Sequence, residues 1–463
     1  MKATAQFPSW QFAPWWRPTA SACIPFLLGL LAATAVTQTS WAALGLLTGI
    51  LTALIAPLQF AFGMLALAVP FDTVTGLGGS TFTVSFLVSA GAGSVLLARM
   101  LGGGSPGSPP RAAKWFVLFV LWTAMSTLWA LNPQLSTLRL PAAVSLVVLY
   151  LVAVTTVVSK RELAWIGGLV ETGGTLAALV SLYQFSRGIN VAGRASIVFG
   201  QASTNSNELA ASLILPLSLA VGGVISNRGV RRMFSAAAAS LMLACTLLTM
   251  SRGALAALAV MAAIYFYRRG VDKKLLAFLG CAVLLIALAP DLLWTRMQES
   301  LSSRAQGRWD IWLVGLEVVK HHGLFGVGLD NFPVAFQQYA GRQAVFRTFS
   351  VVPHNIYLQA LAETGVLGLF FLLLALRSQI QDIARAVRFT SGNVRGLAIS
   401  YEAAAWGILT HALVANLLWR KVFWFSWIVV ALAVQIALKD PPLVANTSHD
   451  RDNEKRRALF RSP

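Results

Sequence analysis

VVPHNIYLQALAETGVLGLFFLLLAL, residues 351–376, passes from polar to apolar within a few positions. Pro353 interrupts whatever structure precedes it, and His354 and Asn355 stand at the interruption. From Ile356 onward the stretch is apolar for about the length a helix needs to cross a bilayer. The pattern predicts a membrane-spanning helix that starts at the water–lipid boundary with a histidine at its mouth. Upstream, Asp291–His354 is a long stretch of mixed polarity that holds Arg296, Arg304, Arg308, Arg342 and Arg347, an amphipathic segment at Gly307–His321 and a glycine turn at Gly323–Asn331.

The rest of the chain has the composition of a membrane protein. Of its 463 residues 57% are hydrophobic and 11% charged, with a mean hydropathy of +0.69, whereas about a quarter of a soluble domain is charged. Apolar runs fall near 20–37, 41–55, 57–70, 83–98, 113–130, 141–158, 163–186, 207–225, 233–250, 252–267, 275–290, 355–376, 401–418 and 422–438. The expected fold is an all-α polytopic membrane protein with about 12 (12–14) transmembrane helices and a partly helical outer loop. Four parts follow: transmembrane helices over 1–290, the loop with its amphipathic helix over 291–354, further spans over 355–438, and a disordered tail over 439–463. Trp10, Trp15 and Trp16 read as an interfacial anchor before the first span. The Gly/Pro-rich link 102–110 reads as a flexible connector.

A net charge of +19 suggests nucleic acid at first sight. The basic residues, however, sit in short links where they set membrane orientation, so no nucleic-acid partner is expected. The N-terminus, 99–114, 159–162, 226–232, 268–274, 377–400 and the C-terminal tail carry 24 of the 36 Lys and Arg. By the positive-inside rule these links and both termini are cytoplasmic. Residues 71–82, 131–140, 187–206, Ser251 and 291–353 then face outward, which in a bacterial inner membrane is the periplasm. Cys23, Cys245 and Cys281 lie in apolar runs without pairing or metal spacing, as small buried side chains do.

Several arginines converge on the outward face: Arg194 in the 187–206 loop, Arg252 in the tight junction Ser251-Arg252-Gly253, and Arg304 and Arg308 before the amphipathic segment. An arginine near apolar depth is costly unless it snorkels or meets an anion, and a guanidinium binds a diphosphate through paired charge-assisted hydrogen bonds. No metal is expected. Asp72, Asp291, Glu299, Asp310, Glu317 and Asp330 are scattered, Asp450 and Asp452 lie in the tail, and His321 and His322 diverge on a helix. No Walker-type phosphate loop is present. His354, with an unperturbed pKa of about 6.5, is a candidate general base. Glu363, about 13 Å deeper at helical rise and half a revolution away, is not expected to pair with it. His411 reads as a mid-span core group. Trp309, Trp312, Leu313, Leu316 and Val319 at helical spacing predict a helix in the membrane plane, with no soluble core to pack into.

The order of these pieces resembles the O-antigen ligase/polymerase superfamily. The matching residues are Asn205-Ser206-Asn207-Glu208-Leu209-Ala210, Ser251-Arg252-Gly253, Gly307-Arg308-Trp309, Gly323-Leu324-Phe325-Gly326-Val327-Gly328 with Asn331-Phe332, and Pro353-His354-Asn355 with Tyr357-Leu358 and Glu363-Thr364-Gly365. The resemblance implies a periplasmic, metal-independent, inverting glycosyltransferase of the membrane-embedded GT-C type, without cofactors. Its donor would be a polysaccharide on undecaprenyl diphosphate and, for a ligase, its acceptor lipid A-core. His354 would be the base, Arg194, Arg252, Arg308 and Arg304 would hold the diphosphate, and Asn355, Glu208 and Tyr357 would support them. A polymerase or a protein O-oligosaccharyltransferase of the same superfamily remains open. So does a transporter or flippase of an anionic lipid-linked glycan, for which Glu171 and His411 would be the mid-span groups.

Overall fold

A computed structural model describes residues 58–74, 107–200, 202–270, 308–340 and 351–439, together with positions 273, 276 and 280. The spans expected near 20–37, 41–55 and 83–98, and most of the one near 275–290, lie outside the described residues. The same holds for Trp10, Trp15, Trp16, Cys23, Cys281, Arg296, Arg304, Arg342, Arg347 and the tail. The described chain is helical almost throughout: α1 (Leu58–Ala68), α2 (Arg111–Met125), α3 (Pro133–Thr155), α4 (Lys160–Ser186), α5 (Ser206–Ser226), α6 (Gly229–Leu248), α7 (Arg252–Arg269), α8 (Arg308–His322), α9 (Phe332–Tyr339), α10 (Ile356–Phe389), α11 (Gly392–Ala412) and α12 (Lys421–Lys439). A two-stranded ribbon, Val198–Phe199 with Ala202–Ser203, sits in the loop before α5.

Seven helices among the described residues are long and apolar enough to cross a membrane: α2 with its short extension to Trp129, α3, α4, α5, α6, α10 and α12. The protein is thus an all-α polytopic membrane protein. Helices α7 and α11 have 18 and 21 residues but are more polar, since they carry Arg252, Arg268, Arg269, Glu402 and His411. They pack on each other, and the Arg268 and Glu402 side chains join in a two-point ion pair at 2.5 and 2.8 Å. Helices α5 and α12 form the centre, with 83% and 72% of their apolar windows buried inside the protein. Pro141 and Pro216 lie inside α3 and α5, as lipid-embedded helices tolerate when neighbouring groups satisfy the freed carbonyls.

Polar caps mark where helices begin. Asn132, Asn205, Ser251 and Asn355 cap α3, α5, α7 and α10 at one end of the bundle, and Ser159 with Glu162 forms a capping box at the other. The two sets of links separated by charge therefore lie at opposite ends. The junction at Ser251, the 187–205 loop and the chain around His354 share one end.

Two expected boundaries are corrected. The link read at 377–400 is mostly helix, because α10 continues to Phe389 and α11 begins at Gly392. Arg377, Arg385 and Arg388 interrupt the hydropathy, but Gln379, Asp382, Ile383 and Ala386 stay buried on the opposite face, where Gln379 Nε2 donates to the Tyr150 hydroxyl at 2.8 Å. The run read as one span at 401–418 ends as helix at Ala412. Leu417 and Leu418 beyond it are buried without being helical, so His411 lies in a last turn and not at mid-span.

The amphipathic segment is helical, as expected, but it does have a core to pack into. Ile311 and Val318 of α8 meet Val327, Phe332, Ala335, Phe336, Val351 and Ala362. Trp309, Leu313 and Leu316 form the outer stripe, 53%, 58% and 50% exposed, which suits a helix lying in the interface. This small unit is held to the bundle by backbone. Helix α10 breaks at Gly365 (φ 69°, ψ −173°), so the carbonyls of Ala362 and Glu363 leave the helical ladder. Val327 and Gly328 N–H donate to them, both at 2.9 Å, and Val366 N–H donates to Gly323 O at 2.8 Å. Gly326 and Gly328 adopt φ of 77° and 98°, a conformation that a side chain would strain.

Asn331 completes the junction. Its fully buried amide accepts from Asn132 N–H at 2.6 Å and donates to Ser136 Oγ at 2.8 Å and Leu329 O at 2.9 Å. Each buried partner left unsatisfied costs about 1–3 kcal/mol. Asn331→Ala is expected to lower the unfolding temperature of the purified protein in detergent by several degrees. Exposed Gln134→Ala, which sits beside the same turn, is expected to leave it unchanged.

Candidate active site

His354 precedes α10 with φ of 51°. Histidine enters the left-handed region more readily than most residues, yet it is still strained there by roughly 1–2 kcal/mol. Its neighbours hold it. The Pro353 carbonyl accepts the Trp312 indole N–H at 3.0 Å from α8. Asn355 Oδ1 accepts the N–H groups of Tyr357 and Leu358 at 2.9 and 3.0 Å, which starts the helix. The Tyr357 hydroxyl donates to Leu409 O at 3.3 Å and ties α10 to the last turn of α11. Asn355 and Tyr357 thus support the position of His354, while its ring takes no hydrogen bond among the described residues.

Electrostatics places Arg252, Arg308 and His354 in one neighbourhood. Burial, and after it the Arg308 guanidinium, push the His354 imidazole down to about 4. Burial, and after it the Arg252 guanidinium, hold Arg308 below the usual arginine range. Arg308 opens α8 and forms no ion pair among the described residues. Two guanidinium groups that act on each other in a partly dry site favour an anion nearby. Arg252 also stands at the first position of α7, whose N-terminal N–H groups add partial positive charge.

Arg194 stands in the 187–206 loop, as its sequence context suggested, and is engaged there by protein acceptors. Its Nε donates to Thr249 O at 2.7 Å and an Nη donates to Asn207 Oδ1 at 2.9 Å. Ala195 N–H donates to Leu248 O at 2.9 Å beside it. Arg194 therefore braces the α6–α7 junction, where Met250 adopts φ of 50°, and sets the backbone from which Arg252 projects. Glu208 pairs with Arg420 at 2.7 Å, next to a second pair, Asp72 with Lys421, also at 2.7 Å. With Thr204 and Ser212 these residues line a narrow cleft between the start of α5 and the start of α12. Glu363 is 1% exposed and accepts from Gln359 Nε2 at 3.2 Å, with no contact to His354. His322 Nε2 and the Tyr339 hydroxyl are 2.9 Å apart, and His321 lies 3.4 Å from Glu317.

The site also includes a residue that the sequence reading set aside. His411 is fully buried, and its Nε2 donates to Asn207 O at 2.9 Å. Its Nδ1 faces the Gly253 backbone and meets no well-aligned donor, while the Arg308 charge reaches the ring. His411 is the packing block that links α11 to the starts of α5 and α7. The available signal was Asn416 with Arg420 and Lys421 close behind, which marks an outer boundary sooner than the apolar run suggests.

Gly253 is required by this packing. A Cβ on it would lie 2.9 Å from His411 Nδ1 and closer still to the Val414 side chain. Forced separation at such a contact costs about 1–3 kcal/mol, and it would move Arg252 with the start of α7. Gly253→Ala is expected to reduce turnover at least tenfold while a membrane-extracted sample remains monodisperse on size exclusion. Gly280→Ala, for which a Cβ meets nothing within 4 Å, is the matched control.

No curated protein matches the chain. Residues 237–373, from α6 to the upper half of α10, match the family model described as O-antigen ligase. Arg252, Arg308, the glycine turn, His354 and the Gly365 break all fall inside that matched segment.

Proposed function

We propose that the chain is a metal-independent O-antigen ligase that acts at the outer face of a bacterial inner membrane. It moves a polysaccharide from undecaprenyl diphosphate to a lipid A-core acceptor, with inversion at the anomeric carbon. The observation that carries this reading is the nearness of Arg252, Arg308 and His354 inside the matched segment, two cations for a diphosphate beside a neutral imidazole. Positive links concentrated at the opposite end of the bundle support the outward orientation and cytoplasmic termini. The exposed apolar stripe of α8 supports access for a lipid-borne donor from the membrane side.

In this reaction an acceptor hydroxyl oxygen attacks the anomeric carbon as the bond from that carbon to the diphosphate oxygen breaks. The hydroxyl proton passes to His354. The departing undecaprenyl diphosphate keeps the electron pair, and its growing negative charge is met by Arg252 and Arg308, with Arg304 as a further candidate. Arg194 acts through Arg252, and Asn355 and Tyr357 act through His354. The activated glycosyl–diphosphate bond supplies the driving force, which suits a compartment without ATP. Bound diphosphate also offsets the Arg308 charge and returns the imidazole toward its ordinary pKa, where it accepts a proton more readily.

His354→Ala is expected to abolish transfer in a metal-free assay with purified donor and acceptor while the protein stays folded; wild-type turnover would overturn the assignment. Product size distinguishes single transfer from chain growth, and growth with a second donor as acceptor would replace the ligase reading by a polymerase.

The pH dependence has a definite sign. Protonated His354 cannot accept a proton, so kcat/KM should hold steady above about pH 5 and fall as pH drops through about 4. Arg308→Gln removes the second cause of the depression, so the surviving activity should lose its acid limb at a higher pH than wild type. A limb that stays in place would show that Arg308 does not act on the imidazole.

A further inference from the structure

At the end of the bundle opposite His354, a cavity of about 290 Å³ opens between the start of α2, the end of α3, the last turns of α10 and the end of α12. Arg111, Arg385 and Lys439 line it from three different helices, against the single carboxylate of Asp382. That carboxylate does not neutralise them. It lies 3.5 Å from Arg385, which leaves two positive charges in surplus among the lining residues. Helix α2 adds to the surplus, since its N-terminal end, which has no side-chain cap, carries partial positive charge beside Arg111. Val157, Val434 and Leu438 form an apolar wall beside the cations. Gln435 Nε2 donates to Val154 O at 2.6 Å and holds α12 against α3 at that wall.

We infer that this cavity binds the phosphodiester headgroup of an anionic phospholipid, with Arg111, Arg385 and Lys439 on the phosphate and the apolar wall against the glycerol and upper acyl chain. The apolar wall favours a lipid over a soluble phosphate, and basic pockets between transmembrane helices are suited to such headgroups. Because the lining comes from α2, α3, α10 and α12, the bound lipid acts as a clamp on these four elements. The inference concerns a site separate from the one around His354 and stands whether or not that site is a ligase.

The test is thermal unfolding of the purified full chain in detergent, titrated in parallel with phosphatidylglycerol, phosphatidylcholine and inorganic phosphate. Phosphatidylglycerol should raise the unfolding temperature, and the other two should leave it unchanged. Each charge near the membrane surface contributes about fivefold in affinity, so Arg385→Gln with Lys439→Gln should shift the phosphatidylglycerol midpoint by roughly 25-fold. Arg385→Lys, which keeps the charge, should recover most of that shift. Exposed Lys439→Gln alone, at the helix end, should shift it about fivefold even if the double variant folds poorly. An equal response to phosphatidylcholine, or variants that titrate like wild type, would overturn the site. An equal response to inorganic phosphate would make it a soluble-anion site and overturn the lipid.

Discussion

The break in α10 at Gly365 and the backbone bonds that fill it are the constraint on which the upper half of the protein depends. A carbonyl that leaves the helical ladder within a membrane costs several kcal/mol unless another donor reaches it. The donors here are Val327 and Gly328, and they arrive only because Gly326 and Gly328 adopt conformations that a side chain would resist. The helix can therefore break only with the glycine turn in place, and the turn can lie flat on the helix only where it is broken. This mutual requirement seats α8 over the bundle. It also orients the short upper piece of α10 whose first residues hold His354.

On that frame stands an arrangement that opposes stability. Arg252 and Arg308 are like charges brought close and partly desolvated, and His354 is strained and kept neutral beside them. None of these features helps the chain fold. They persist because their surroundings over-determine them: Arg194 bridges Thr249 and Asn207, His411 locks α11 onto Asn207 and Gly253, and Asn355 and Trp312 grip the backbone on either side of His354. Strain of this kind collects where a ligand relieves it. A diphosphate between the guanidinium groups would remove the repulsion and the depression of the imidazole together.

Much of this was legible beforehand. The membrane class, the two sets of links, the tight Ser251 junction, the α8 amphipathicity and the position of His354 follow from hydropathy, basic residues and proline, because each of these has a local physical cause. What escaped were features in which hydropathy reports burial and not conformation. Leu417 and Leu418 are apolar because they are buried, so the run up to them concealed the end of α11 and placed His411 too deep. Arg385, which faces the cationic cavity, and Arg388, which lies exposed, interrupt the hydropathy of a continuing helix, so they concealed the last turns of α10. The hydrogen bonds of Arg194 were beyond reach for another reason. Its partners lie 13 and 55 positions away, and no local pattern announces a contact at such separations.

The two ends of α10 differ for the same reason that the helix is broken. Its 34 residues would span about 51 Å as a straight helix, well beyond the roughly 30 Å hydrocarbon core. The break divides this length into two pieces that meet at the glycine turn, which is hydrogen-bonded on both sides of the break. The upper piece is bonded to the glycine turn and packs on α8, while the lower piece packs on α2 and α12 and brings Asp382 and Arg385 to the cationic cavity. A rigid rod would couple every shift of α8 to the far end of the bundle. The bend at Gly365 instead turns the upper piece onto α8 while the lower piece keeps its seat among its neighbours, and the bonds on both sides of the break fix the angle between them. The glycine that permits the backbone pairing thus also sets the direction of the end that holds His354.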